Sequence, residues 1–111
     1  MTEPSAQPRH LLNIAQAFAQ IGNWPGLERT LERLVAVDPE NPEAWYDLAA
    51  LRASVGKADQ AWPALERALD LNRHRRRQDD KARDLNETLQ QDPRFNALKQ
   101  DARFQALARP P

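Results

Sequence analysis

Cysteine is absent from this chain of 111 residues, and glycine occurs only three times. Without cysteine there are no disulfides, no thiolate nucleophile and no zinc site built on cysteine ligands. Three scattered glycines form no glycine-rich phosphate loop, and the two histidines, His10 and His74, lie far apart in sequence. We therefore expect no catalytic residue, no metal site and no cofactor, and we expect that the protein is not an enzyme.

An excess of one charge is also missing, because 16 Lys and Arg residues balance 16 Asp and Glu residues. A balanced chain has no net field that attracts nucleic acid or an anionic membrane. No apolar run approaches the roughly 20 residues of a membrane span, and the opening MTEPSAQPRH lacks the apolar core of a secretory signal. Runs of β-branched residues are missing, whereas helix-favouring Ala, Leu, Arg and Gln are abundant. These features predict a soluble, all-helical domain, either cytoplasmic or part of a larger protein.

The sequence contains an internal repeat with a period of 34 residues. A shift by that period superimposes large residues on large ones and small residues on small ones. The matching pairs are Leu11 and Trp45, Ile14 and Leu48, Ala15 and Ala49, Gly22 and Gly56, and Leu31 and Leu65. The pattern predicts a helix-turn-helix unit used twice, in which each glycine ends the first helix of its pair.

Periodicity and capping signals predict four helices in these two units, at about 8–21, 24–37, 42–55 and 59–72. Asn23 is a favourable N-cap for the second helix, and Pro25 is tolerated in its first turn. Pro63 lacks the N–H that would bond to the carbonyl of Asp59 and crowds that carbonyl. We therefore expect the fourth helix to begin late, near Asp59, or to bend there.

The period and its residues resemble the tetratricopeptide repeat family. The stronger copy is residues 42–75, which contain Trp45, Leu48, Ala49, Gly56, Ala61, Leu65 and Ala68; residues 8–41 form a looser copy. Arg52 departs from the pattern, because the family usually has an aromatic residue there. The resemblance implies two helical hairpins stacked as a short right-handed α-solenoid, and it implies binding to other proteins.

The C-terminal part does not continue the repeat, but it contains one phrase twice: DPRFNAL at 92–98 and DARFQAL at 101–107. In a single helix a shift of nine residues would turn the two Phe-Leu pairs to opposite sides. Two short helices, each opened by an Asp N-cap, avoid this. We expect a helix at 80–91 and these two helices to form a cap at 76–109, with Phe95, Leu98, Phe104 and Leu107 covering the apolar side of repeat two. Together with a flexible N terminus at 1–7, this gives a single domain at 8–109.

In proteins of this family the first helix of each repeat lines an inner groove that holds ligand peptides. The resemblance implies that repeat one contributes Arg9, Leu12, Asn13, Gln16 and Gln20 to such a groove. The matching positions of repeat two are Glu43, Tyr46, Asp47, Ala50 and Ser54. Amide and charged groups beside Leu12 and Tyr46 would form a mixed surface able to hold an extended or helical segment of an unknown partner.

Two alternatives remain open at the level of sequence. The domain could have a structural role instead, either as a homodimer or as the tail domain of a larger protein; the phrase DPRFxxL is similar to the closing segment of some bacterial tetratricopeptide proteins. Nucleic-acid binding through the basic run 73–77 is a weaker alternative, because Asp79 and Asp80 follow it and no aromatic residue is interleaved to stack on bases.

Overall fold

Every regular element in the computed structural model, which describes residues 7–108, is a helix. The elements are α1 (Pro8–Ile21), α2 (Trp24–Val37), α3 (Pro42–Ser54), α4 (Ala58–Gln78), α5 (Leu85–Gln91), a 3₁₀ helix (Pro93–Leu98) and α6 (Ala102–Ala108). No strand occurs within residues 7–108, so the predicted all-α class is confirmed. The prediction of a flexible segment at 1–7 falls outside the described residues, except at Gln7, and so does the end of the predicted cap at 109.

The turn between α1 and α2 follows from its sequence. Gly22 has a φ of 71°, a left-handed conformation that glycine adopts without steric cost, and it ends α1. The side chain of Asn23 then accepts a 3.0 Å hydrogen bond from the backbone N–H of Gly26, which caps α2. The bounds of both helices therefore agree with the prediction.

The second hairpin repeats this construction. Asn41 caps α3 by accepting hydrogen bonds from two backbone N–H groups, and Gly56, with a φ of 84°, lies in the turn that follows it. Helix α4 begins at Ala58, one residue before the expected start, and Pro63 lies in its second turn. Pro63 is the sixth residue of the helix, beyond the four N–H groups that have no partner within it, so the carbonyl of Asp59 lacks its usual intrahelical donor.

The junction of α4 and α5 differs from the prediction. Helix α4 does not end at 72 but continues to Gln78, and α5 begins at Leu85 rather than 80. The buried side chain of Asn72 donates to the carbonyl of Arg83 at 2.8 Å and accepts from the N–H of Leu85 at 2.9 Å. Asp84 caps α5. Because these bonds hold the connection 79–84 against α4, the segment that the pattern assigned to a helix is a loop.

The four helices of the two hairpins pack successively, α1 on α2, α2 on α3 and α3 on α4. Six alanines of α3 and α4 are buried, and their small side chains allow neighbouring elements to approach closely; they are Ala49, Ala50, Ala53, Ala61, Ala64 and Ala68. Larger apolar side chains fill the layers between helices and are fully buried; among them are Leu11, Leu34, Leu48, Leu65, Leu85, Leu89 and Phe95. The core is thus continuous from α1 into the C-terminal segment.

Arg52 occupies the position at which the family pattern has an aromatic residue, and it makes a polar link between helices. Its guanidinium pairs with Glu28 of α2 at 3.1 Å and donates to the carbonyl of Gln60 in α4. A hydrogen bond from Lys57, together with that from Arg52, lowers the pKa of Glu28 despite its burial. Three helices are therefore held here by an ion-pair network instead of an aromatic contact.

Candidate functional site

The groove positions assigned to repeat one form a continuous exposed stripe on α1. Successive positions are separated by three, one, three and four residues, so they lie on one face of the helix. All five are exposed, and they are Arg9, Leu12, Asn13, Gln16 and Gln20. Leu12 leaves 38% of its surface accessible, whereas Leu11 and Ala15 on the opposite face are buried against the core. This stripe therefore presents one apolar side chain among amide and basic groups.

The corresponding positions of α3 lie on the matching face of that helix but are largely covered. Tyr46 is 3% exposed and Ala50 is 0% exposed. Glu43 and Asp47 are half-buried, and Ser54 is exposed. The covering element is the 3₁₀ helix Pro93–Leu98, which packs on α3. A partner segment would reach Tyr46 and Ala50 only if this part of the chain moved away.

An aromatic and polar cluster holds the 3₁₀ helix in this position. The phenol of Tyr46 donates a 2.8 Å hydrogen bond to Oδ2 of Asp92. The ring of Phe95 is fully buried and packs against the ring of Tyr46 at 5.4 Å between centroids, inclined by 57°. The guanidinium of Arg94 lies 5.8 Å from the centroid of the Tyr46 ring and 3.8 Å from Oδ1 of Asp47. Most polar atoms of this contact are thus paired within the chain.

The ionisation of this cluster favours the docked state. Burial alone would raise the pKa of Asp92, but hydrogen bonds from Arg94 and Tyr46 outweigh it and the pKa lies below its ordinary value. Burial, together with the hydrogen bond to Asp92, raises the pKa of the Tyr46 phenol. Burial also raises the pKa of Asp47, although the charge of Arg94 counteracts it. At neutral pH the phenol is therefore a donor and Asp92 an ionised acceptor.

The second copy of the duplicated phrase, at 101–107, makes the same kind of contact, but with α4 instead of α3. Asp101 accepts a 2.8 Å hydrogen bond from the backbone N–H of Arg103 and pairs with its guanidinium at 2.9 Å. That guanidinium lies 4.6 Å from the ring centroid of Trp62 on α4, and the adjacent Phe104 is buried. Both copies thus place an Asp-paired arginine over an aromatic ring and insert the next phenylalanine into the core.

The cap residues are placed as follows. Phe95, Leu98 and Phe104 are buried, and Leu107 is half-buried against the core. The carbonyl of Leu107 accepts a hydrogen bond from Arg73 of α4, and that of Ala108 accepts one from Asn86 of α5. The end of the chain thus contacts both α4 and α5.

The basic run 73–77 is divided between two faces of α4. Arg75 points towards α3, where its guanidinium binds the carboxylate of Glu43 through hydrogen bonds of 2.6 and 3.1 Å. Burial alone would raise the pKa of Glu43, but the pairing with Arg75 outweighs this effect, and the pKa lies below its ordinary value. Arg73, Arg76 and Arg77 line a cleft between α4 and α5 instead. The run is therefore not a single basic patch.

Two observations concern catalysis and membranes. Among residues 7–108, no group of three acidic or histidine side chains is arranged to hold a metal ion. None of the helices in that range combines the length and apolar character needed to cross a membrane.

The architecture defines the class of protein: successive antiparallel helical hairpins of one repeated pattern, stacked through small residues and closed by a helical cap. Residues 8–51 match the family model of the tetratricopeptide repeat, and this match confirms the recognition from sequence. Tetratricopeptide repeats generally mediate protein–protein interaction. No curated protein matches the chain, and no solved structure does.

Sequence reasoning did not find that the C-terminal segment lies on the stripe of α3. A signal was present in the duplicated phrase itself. Each copy places an arginine directly before a phenylalanine and two residues after an aspartate. In each copy the phenylalanine can be buried while the aspartate orientates the arginine. The arginine can then lie over an aromatic ring, and Tyr46 and Trp62 provide such rings.

Proposed function

We propose that this protein is a non-enzymatic interaction module that binds a segment of a partner protein along the exposed stripe of α1. The stripe offers the side-chain donors of Arg9, Asn13, Gln16 and Gln20 around the accessible side chain of Leu12. A peptide that presents carbonyl or carboxylate groups around one apolar side chain complements this surface. We further propose that the protein acts in the cytoplasm or as a domain of a larger protein.

The observation that carries the proposal is the difference between two equivalent stripes. On α3 the stripe is covered by a short helical segment, which packs Phe95 on Tyr46. On α1 all five equivalent positions are exposed. The chain thus contains its own example of a short helix seated on this type of face, and the face of α1 has the same register without such a cover among residues 7–108.

Photo-crosslinking tests the proposal at single positions. A crosslinking amino acid in place of Gln16 should capture a discrete partner from native lysate, and the same group in place of Glu66, exposed on α4, is the matched control. Leu12→Asp should abolish the Gln16 crosslink while lowering the melting temperature far less than Leu11→Asp does, because Leu12 is 38% exposed and Leu11 is 0% exposed. Equal products at both positions, or a Gln16 product that survives Leu12→Asp, would refute the assignment.

Self-association is a second candidate, favoured by the apolar residues at the turn of the first hairpin. Ile21 is 75% exposed and Trp24 is 47% exposed. Neighbouring exposed apolar side chains of this size often mark a contact with another protein surface. Light scattering over a concentration series separates the candidates: a mass that rises with concentration in the parent, and not in Ile21→Ser/Trp24→Ser, supports a homodimer. A constant monomer mass rejects it.

A further inference from the structure

A cleft of about 870 Å³ lies between α4 and α5, on a surface that the proposed function does not use. Its volume falls within the range of roughly 300–1,000 Å³ typical of ligand sites. The walls come from one face of α4 and from the facing residues of α5, and the buried side chains of Leu69 and Asn72 contribute to its lining. The cleft therefore combines an apolar area with polar walls.

Three arginines line the α4 side of this cleft. Arg73, Arg76 and Arg77 are spaced by three and one, so they project from neighbouring positions on one helix face. Two of them are orientated by carbonyls of the chain: Arg73 donates to Leu107 and Arg76 donates to Ala82. The guanidinium of Arg77 has no hydrogen bond or ion pair with another residue of the range 7–108, although its backbone is part of α4. Each guanidinium has five N–H donors, so most donors of the three remain available.

The α5 side contributes acceptors. The side-chain oxygen of Asn86 is buried, lacks a hydrogen-bond donor among the described residues, and belongs to a residue that lines the cleft. Asp84 and Glu87 also line it, but Asp84 already accepts from the backbone N–H of Asn86 as the cap of α5. A buried acceptor without a partner is unusual in folded proteins. Because this oxygen has almost no solvent-accessible surface, the accessible acceptors of this wall are the carboxylates of Asp84 and Glu87, which the three arginines outnumber.

We propose that this cleft is a second binding site and that it takes a short acidic segment of a partner protein. A carboxylate of the segment would pair with Arg77 and the adjoining guanidinium of Arg76. An apolar side chain of the segment would pack on the aliphatic stems of these arginines. The segment is thereby distinguished from a simple anion, which would use only the arginines.

Nucleic acid fits the same cleft less well. Its phosphates would follow one another past Asp84 and Glu87, whereas a peptide can direct a single carboxylate to the arginines and turn neutral groups towards these acids. The cleft lining also contains no aromatic residue on which a base could stack. The protein segment is therefore the occupant that the charges of the cleft favour.

Fluorescence anisotropy of a labelled peptide tests the site. The probe is a short fluorescein-labelled peptide of alternating leucine and glutamate, and its counterpart contains glutamine in place of glutamate. The full chain should bind the glutamate peptide at least about tenfold more tightly than the glutamine peptide, since one charge-assisted pair is worth roughly that factor. Arg77→Glu should remove the preference.

Arg67→Glu is the matched control, because Arg67 is exposed on the same helix and lies outside the cleft. It makes the same change in net charge and should leave binding unchanged. The proposal is overturned if the parent binds neither peptide or binds both equally, or if Arg67→Glu is as damaging as Arg77→Glu. Displacement of the glutamate peptide by labelled oligouridylate, with tighter binding of the RNA, would overturn it in favour of a nucleic-acid site. Leu12→Asp should not affect this binding, so the result is independent of the α1 stripe.

Discussion

The hydroxyl of Tyr46 donates a hydrogen bond of 2.8 Å to Asp92, 46 residues further along the chain. Through this bond the first helix of the second hairpin holds the start of the 3₁₀ helix. Both groups are buried, so neither can exchange its partner for bulk water without local opening. The contact joins a position of the predicted groove to the predicted cap.

Removing this hydroxyl should destabilise the protein without changing the fold. Tyr46→Phe keeps the ring contact with Phe95 but leaves Asp92 without its phenol donor, at an expected cost of about 1–2 kcal/mol in the free energy of unfolding. Urea denaturation followed by circular dichroism measures this change. The double variant with Asp92→Asn should lose less than the sum of the single variants. Strict additivity would show that the two groups do not interact in solution.

Truncation of the buried ring of the 3₁₀ helix should have a larger effect. Phe95 is 0% exposed, and Phe95→Ala should lower the free energy of unfolding by about 3–5 kcal/mol through lost burial and the cavity left behind. Asn96→Ala, at the exposed neighbouring position, should change it by less than about 0.5 kcal/mol. Chemical denaturation compares the two variants. A loss for Phe95→Ala no greater than that of the control would mean that the 3₁₀ helix is not docked on α3.

Stability should fall as the pH drops below about 4. The pKa of Asp92 is lower in the folded state than its unfolded value of about 3.9, so its contribution is complete above that value and is lost as the pH falls through the folded pKa. Asp92→Asn should therefore flatten the acid limb of the unfolding free energy measured in urea between neutral and acidic pH. Glu28 and Glu43, whose pKa values are also lowered, should maintain a residual slope.

Asp101→Asn is the matched control for the loss of unfolding free energy at acidic pH. Asp101 occupies the equivalent position of the second copy, where hydrogen bonds from Arg103 lower its pKa, but its ion pair is more exposed than that of Asp92. Solvent screening makes an exposed pair contribute little. The Asp101 variant should change the acid limb less than Asp92→Asn does. The reverse order would contradict the assignment of Asp92 as the buried link.

The two hairpins could be predicted from sequence because their signals are local. A cap such as Asn23 and a left-handed glycine such as Gly22 fix a helix end through neighbouring residues alone. The end of α4 could not be predicted in this way. Basic residues near 73–77 favour a helix end, but Asn72 holds the following loop alongside the helix and Arg75 pairs with Glu43, and both contacts depend on the tertiary fold.

The site was harder to predict for the same reason. Spacing places Leu12 and Tyr46 on equivalent faces of their helices, and both lie there. It cannot reveal that one face is exposed and the other is covered by a segment from the far end of the chain. The orphan acceptor of Asn86 also has no signature in sequence, because it arises where two helices and a loop meet.

The 3₁₀ helix on α3 also limits what can bind across both hairpins. Because this segment belongs to the same chain as the surface that it covers, it would compete intramolecularly with any peptide that binds there. An outside peptide that needed the α3 face would have to overcome this internal competitor before gaining any affinity there. A ligand confined to the first hairpin would meet no such threshold, so under the proposed function partners would be discriminated by how far along the two hairpins they extend.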